Sequence, residues 1–284
     1  MVVNFIKQLF GVKSTVIQEA DPVTTEVKND KFPGAFDPYS VMDRSSKISG
    51  WCNEETGELF KGFPVSESDV VLDVGCGGGE NAAFCARQGA HIVFADIDQA
   101  MVEETGRMLQ GTPARKIEAI VTDANPLPLP DETFTRIVST EVIEHVADPM
   151  VFLKELVRVG KPGALYLLAV PDPASEAIFK QIAHPSCFEP PNHIRILGRD
   201  EFTQLVSDAG LEVLSHEFYG FYSTVWWSLF WSSPKDGMRP VGHATLDHWA
   251  AAWDALLKCE HGRLIHDVLD KALPKSQLVI ARKR

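Results

Sequence analysis

From residue 70 onward the chain alternates between short, continuous apolar runs and longer stretches with apolar residues at helical spacing. Residues 70–74 read Val-Val-Leu-Asp-Val and lead straight into glycines, which predicts a buried strand ending in a tight turn. Residues 81–88 follow with helix-compatible Ala, Phe, Cys and Arg. Strands are predicted over 91–95, 117–122 and 136–140, with a helix over 99–109. Met150, Val151, Leu153, Leu156 and Val157 form one helical face over 150–159, and Gly160-Lys161-Pro162-Gly163 should stop that helix before a strand over 164–170. A helix over 201–209, closed by Gly210, a strand over 211–218 and a last strand over 277–282 complete the series. Strands alternating with helices predict an α/β fold, doubly wound, around a mostly parallel sheet covered on both faces.

Both flanks depart from this pattern. Up to about Pro33 there is little periodicity, so a loosely ordered arm is expected, then irregular structure through Gly62. Residues 219–275 are too many for a loop, and helical patterns over 246–257 and 263–273 predict a helical insertion before the last strand. The expected organisation is an N-terminal arm over 1–62, a core over 63–218, an aromatic-rich insertion over 219–275 and the last core strand over 276–284.

Composition narrows the function. The 284 residues carry 27 Lys and Arg against 39 Asp and Glu, a formal net charge of -12, the wrong sign for a protein that must neutralise phosphates. No nucleic-acid partner is expected. The five cysteines include no Cys-x-x-Cys pair or zinc knuckle, so reduced thiols and a cytoplasmic location fit best. Residues 1–13 lack the cleavage site of a secretory signal, and no run is long enough to cross a bilayer.

The turn after the first core strand, Asp73-Val74-Gly75-Cys76-Gly77-Gly78-Gly79, sets the chemistry. A dinucleotide fingerprint wants a glycine in sixth place from Gly75, where this chain has Glu80. The pattern Asp-x-Gly-x-Gly-x-Gly instead resembles motif I of the class I S-adenosylmethionine-dependent methyltransferases. Asp96 ends the next strand about twenty residues on, where an acid can accept ribose hydroxyls. Thr122-Asp123-Ala124 ends the third strand, and Ser139-Thr140-Glu141-Val142-Ile143-Glu144-His145-Val146 especially resembles the ubiquinone and menaquinone biosynthesis methyltransferases. The resemblance spans about residues 70–218. It implies a Rossmann-like fold and S-adenosyl-L-methionine as cofactor, held by Asp73, Gly75, Cys76, Gly77, Gly79 and Thr140. It also implies Asp96 on the ribose, Ile97 against the adenine, and Asp123 with the Ala124 amide on the adenine edge. An N-terminal lid over 36–51, with Tyr39, Arg44, Lys47 and Trp51, is a further implication.

Methyl transfer from a sulfonium is an in-line displacement that chiefly needs alignment, with a general base where the acceptor carries a proton. His145, just past the fourth core strand, is the first candidate base, with a simple backbone contact as its alternative. His193 is the second, either facing the acceptor or serving its loop. His184, Cys187 and His193 match no common zinc spacing, and no metal is expected. The run 218–231, rich in Phe, Tyr and Trp, has three readings: an apolar acceptor pocket, peripheral contact with a membrane carrying a lipid-linked substrate, or the insertion's own core. The expected activity is methylation of a small-molecule acceptor. The alternatives are methylation of a protein or RNA, or an inactive cofactor-binding scaffold.

Overall fold

The computed structural model describes residues 38–232 and 243–284. Its centre is a seven-stranded sheet in the order β6-β5-β4-β7-β8-β10-β9. The strands are β4 (Val70–Val74), β5 (His91–Asp96), β6 (Lys116–Val121), β7 (Phe134–Thr140), β8 (Gly160–Pro171), β9 (Leu211–Tyr219) and β10 (Ser276–Lys283). β4 pairs parallel with β5 and β7, β5 with β6, and β7 with β8, while β10 runs antiparallel between β8 and β9. The carboxyl ends of β4, β5 and β7 therefore share one edge, where ligands of open α/β sheets sit.

Alternate residues of the strands feed two cores, as the pleat requires. Leu72, Val93, Ile137, Leu168 and Val279 pack on one face with Phe152, Leu153 and Leu156 of the helix Pro149–Val159 and with Phe202 and Val206 of Arg199–Asp208. Val71, Phe94, Val138, Leu167 and Leu278 pack on the other with Ala82 to Ala86 of the helix Glu80–Arg87. The helices start where chemistry dictates. Asp98 accepts from the Ala100 amide at 2.8 Å to cap Gln99–Met108, and Asp148 accepts from Met150 and Val151 at 2.9 and 3.1 Å, with Pro149 in first position.

Two expectations need correction. Residues up to 62 are not irregular in their described part: Pro38–Ser49 is a helix, and Trp51–Asn53 (β1), Glu58–Phe60 (β2) and Phe63–Pro64 (β3) form a small antiparallel sheet. The helix buries Pro38, Val41 and Ser45, a helical stripe whose third member is polar, and strands of two or three residues are too short to show a period. The segment 160–163 is likewise not a stop ahead of β8. Gly160 opens that strand, paired with Phe134, while the preceding helix ends at Val159 as expected. The arm before residue 38 lies outside the described residues.

The segment after β9 is helical: Phe221–Ser232, Ala244–Leu257 and Gly262–Ala272. Its aromatic residues turn inward. Tyr222, Trp226, Trp227, Phe230 and Trp231 are buried with Trp253, Leu246, Val41 of the first helix and Phe179. Trp226 stacks on Phe230 with centroids 5.5 Å apart, and Tyr222 on Trp249 at 5.8 Å. These side chains form the helical layer's core, the third of the three readings. No helix among the described residues is long and apolar enough to cross a membrane.

Candidate active site

The glycine turn at the end of β4 is held against β5: the amides of Gly75 and Cys76 donate to the Ala95 carbonyl at 2.8 and 3.1 Å. Gly75, Gly77 and Gly79 all have positive φ, at 73°, 50° and 86°. They do different work. A Cβ on Gly75 would lie 2.2 Å from Val142, and one on Gly79 2.7 Å from the Thr105 hydroxyl, so these two glycines allow close packing. A Cβ on Gly77 would meet nothing within 4 Å among the described residues, so this glycine faces open space between them. The Cys76 thiol sits 3.7 Å from the Thr105 hydroxyl, and burial pushes it far up, so it is an inert packing group.

Asp73 lies directly beneath this turn, 1% exposed, and neither carboxylate oxygen has a hydrogen-bond partner. Burial is the main reason its carboxyl is pushed from 3.8 up to about 7, with the charges of Asp96 and Glu80 adding to it. The Ala82 amide, directed at the carboxylate but outside hydrogen-bond geometry, offsets only part. A buried acid with two idle oxygens beside an open glycine face suits a cationic ligand group.

Asp96 accepts from the Gly77 amide and the Asp98 amide, each at 3.0 Å, so its carboxylate is fixed at the rim while retaining further lone pairs. Ile97 stands 71% exposed beside it, an apolar side chain left largely uncovered by the described residues. Asp123 is exposed and accepts from the Asn125 amide at 3.1 Å. The Ala124 amide, expected on an adenine nitrogen, already donates to the Thr122 hydroxyl at 3.0 Å in a turn with Ala124 at φ 59°. Thr140 is buried, its hydroxyl accepting from Asn81 at 3.1 Å.

The loop after β7 carries the second half of the site. Residues 183–198 fold over it: Ile194 donates to the Glu144 carbonyl at 3.1 Å, and the Arg195 guanidinium reaches the carbonyls of Ile143, Val146 and Ala147. That clamp brings His193 to His145, ring centroids 5.0 Å apart. Glu144, His145 and His193 each place one ligand-type atom within 4.8 Å of the others, close enough to contact one bound group. His184 and Cys187 do not join them; His184 bonds the Ser186 hydroxyl at 2.8 Å, and Cys187 is buried. His145 donates from Nδ1 to the Pro191 carbonyl at 3.0 Å, so the backbone contact weighed for it exists alongside its place in the cluster.

Glu144, Glu141, Glu176 and Lys275 surround the pair, and sequence reasoning gave none of these four a role. Glu144 is 1% exposed, neither oxygen has a hydrogen-bond partner, and Oε1 lies 3.7 Å from His145 Nε2; burial, together with the neighbouring Glu141 charge, holds its carboxyl well above the usual range. Glu141, at φ 58°, would be raised by burial too, but the Lys275 ammonium against it and the Ser276 hydroxyl at 2.7 Å bring it below its usual value. Burial, then the His193 charge, lowers His145. Glu144 stood inside the motif that carried the resemblance and could have been found there. Glu176 reads as an ordinary first-turn acid of the helix Pro173–Ile182, and Lys275 gives no local signal at all.

Comparison with known proteins follows the same outline. A family model described as a methyltransferase domain matches residues 72–168. The chain is 41% identical over 98 residues to a ubiquinone biosynthesis O-methyltransferase of Parvibaculum lavamentivorans, a stretch that covers 34% of this chain and 38% of that protein. It therefore spans well under half of that relative's length. It is 32% identical over 191 residues to the ubiquinone biosynthesis O-methyltransferase of Dinoroseobacter shibae, covering 63% of this chain and 75% of that protein. The geranyl diphosphate C-methyltransferase of Streptomyces coelicolor A3(2) superposes with a TM-score of 0.54 at 15% identity, over 85% of this chain and 76% of that one, and shares the fold. Similarity that runs through the glycine turn, the loop after β7 and most of the Dinoroseobacter protein has one reading: this chain belongs to the class I S-adenosylmethionine-dependent methyltransferases.

Proposed function

We propose that this chain transfers the methyl group of S-adenosyl-L-methionine to a small-molecule acceptor. The observation that carries the cofactor half is Asp73: a fully buried carboxylate with two unpartnered oxygens, beneath a glycine with open space before it. The methionine ammonium supplies the missing partner for that acid. Asp96, fixed by two amides at the rim, accepts from the ribose hydroxyls, and exposed Ile97 covers one adenine face. Asp123 takes the adenine amino group, while the Ala124 amide contributes only if Thr122 releases it. Gly75, Gly79, Cys76 and Thr140 shape the cradle through packing and hydrogen bonds within the protein.

Bound there, the cofactor supplies an already activated methyl on sulfur, so the residues around it have to align an acceptor and exclude water. The acceptor side is the cluster beyond Thr140: the imidazoles of His145 and His193, with Glu144 buried behind them, offer ring nitrogens as hydrogen-bond acceptors, which favours an acceptor that presents donors such as hydroxyls. The names of the Parvibaculum and Dinoroseobacter relatives support a phenolic, quinone-precursor type of acceptor. The test is twofold. Titration calorimetry should show S-adenosylhomocysteine binding that Asp96→Ala weakens severely. Labelled S-adenosylmethionine with a fractionated extract should put label in low-mass products; label confined to polymer would overturn the small-molecule reading.

A further inference from the structure

The helix Pro173–Ile182 places Glu176 under His193, and this pair carries an inference that rests on the methyl-transfer reading above. Glu176 is 2% exposed, and its Oε2 lies 2.8 Å from His193 Nδ1. An ionised carboxylate only accepts, so Nδ1 carries the proton, and in the neutral ring Nε2 carries the lone pair. The segment bearing His193 is fixed from both sides: its amide donates to the Cys187 carbonyl at 3.1 Å, and the next residues bond the Glu144 and Ile143 carbonyls. The ring meets His145 edge-on and Phe188 edge-on as well, with centroids 5.0 and 6.1 Å away. The imidazole is thus set in tautomer and direction before any acceptor arrives.

We propose that His193 is the general base of an O-methyl transfer and that Glu176 is its positioning residue. The acceptor's hydroxyl oxygen forms the new bond to the methyl carbon. The carbon–sulfur bond breaks with its electron pair going to sulfur, and the hydroxyl proton passes to His193 Nε2. The positive charge lost by the sulfonium appears on the imidazolium, and the Glu176 carboxylate at Nδ1 stabilises it where it forms. The Lys275 ammonium pairs directly with Glu141 and reaches Glu176 only through its charge, so the direct partner of the Glu176 carboxylate is His193. The substrate class this implies is a small molecule with an ionisable hydroxyl, such as a phenol.

The experiment uses the full chain, loaded with S-adenosylhomocysteine and labelled with ¹⁵N-histidine, with His193→Gln to assign the signal. Long-range proton–nitrogen spectra near pH 8 should show the His193 proton on Nδ1 and none on Nε2. Glu176→Gln, checked for folding by circular dichroism, should lose that single-tautomer pattern, and Glu176→Asp should restore it in part. Protonation of His193 at Nε2 in the wild type, or an unchanged pattern in Glu176→Gln, overturns the pairing. Activity is read with catechol as probe acceptor. Glu176→Gln should lower kcat by roughly 100-fold with little change in KM, Glu176→Asp much less. An unchanged kcat overturns the positioning role. Catechol left unmethylated by wild type, with the tautomer as expected, overturns the phenol reading alone, and failure to bind S-adenosylhomocysteine at all overturns the methyl-transfer reading beneath it.

Discussion

Binding of the cofactor should expel a proton, and Asp73 is the source. In the folded chain its carboxyl titrates at about 7 instead of 3.8, because it is fully buried with no partner. Roughly three units at about 1.4 kcal/mol each amount to about 4 kcal/mol. The sign follows from linkage: the folded-state value is raised, so this contribution to stability is complete below pH 3.8 and is lost as pH rises to about 7. An ammonium delivered against the idle oxygens reverses the shift, so the acid ionises on binding. At pH 6 about 0.9 of a proton should leave per S-adenosylhomocysteine bound, and at pH 8, where Asp73 is already ionised, about 0.1. Calorimetric titrations in buffers of different ionisation heat give that number as the slope of observed enthalpy against buffer heat. Asp73→Asn should flatten the slope at pH 6 and weaken binding roughly 10- to 100-fold, the loss of a charged hydrogen bond. A wild-type slope near zero at pH 6, or one unchanged in Asp73→Asn, would refute the assignment of the methionine ammonium to this acid.

The other expectations separate the glycines, the acid cluster and the aromatic layer. Gly77→Ala keeps its fold at a cost of about 1 kcal/mol for its positive φ but loses cofactor affinity at least tenfold, since its Cβ enters the open face; Gly75→Ala, 2.2 Å from Val142, destabilises the apo fold by roughly 1–3 kcal/mol in denaturant titration. Glu144→Gln removes a carboxyl whose value is raised, so it should stabilise the protein more at pH 8 than at pH 5, as the Tm against pH will show. Equal shifts at both pH values would mean that burial does not hold this carboxyl above its usual range in the folded chain. Trp226→Ala should cost about 3–5 kcal/mol by emptying the centre of the helical layer, in thermal or chemical unfolding.

Much of the core was legible because strands such as Val70–Val74 and His91–Asp96 are short, mostly apolar runs and helices such as Gln99–Met108 and Pro149–Val159 carry their own start signals, Asp98 and Asp148. The small sheet over 51–64 was not, because two- and three-residue strands leave no period, and the helix before it hides its stripe behind buried Ser45. That serine accepts from Trp253 Nε1 at 3.2 Å and bonds His266 at 3.0 Å, partners more than 200 residues away. A polar residue can fill a core position only when distant partners satisfy it, and those partners are invisible from a local window.

The two halves of the candidate site differ in the same way. The cofactor half, from Asp73 to Asp123, is built from strand ends that follow one another in the chain, so its spacing was readable. The acceptor half joins residues 141–145, Glu176, His193 and Lys275, which meet only because β10 inserts antiparallel between β8 and β9. That insertion carries Lys275 to Glu141 from 134 positions away and anchors the start of Pro173–Ile182, whose Asp172 amide donates to the Lys275 carbonyl at 2.9 Å. Glu176 thus stands under His193 because of where the last strand lies. Changes near residue 275 should therefore alter the acceptor side while leaving S-adenosylhomocysteine affinity intact. A Lys275→Met variant that still folds but loses cofactor binding would show that the two halves are not separable in this way.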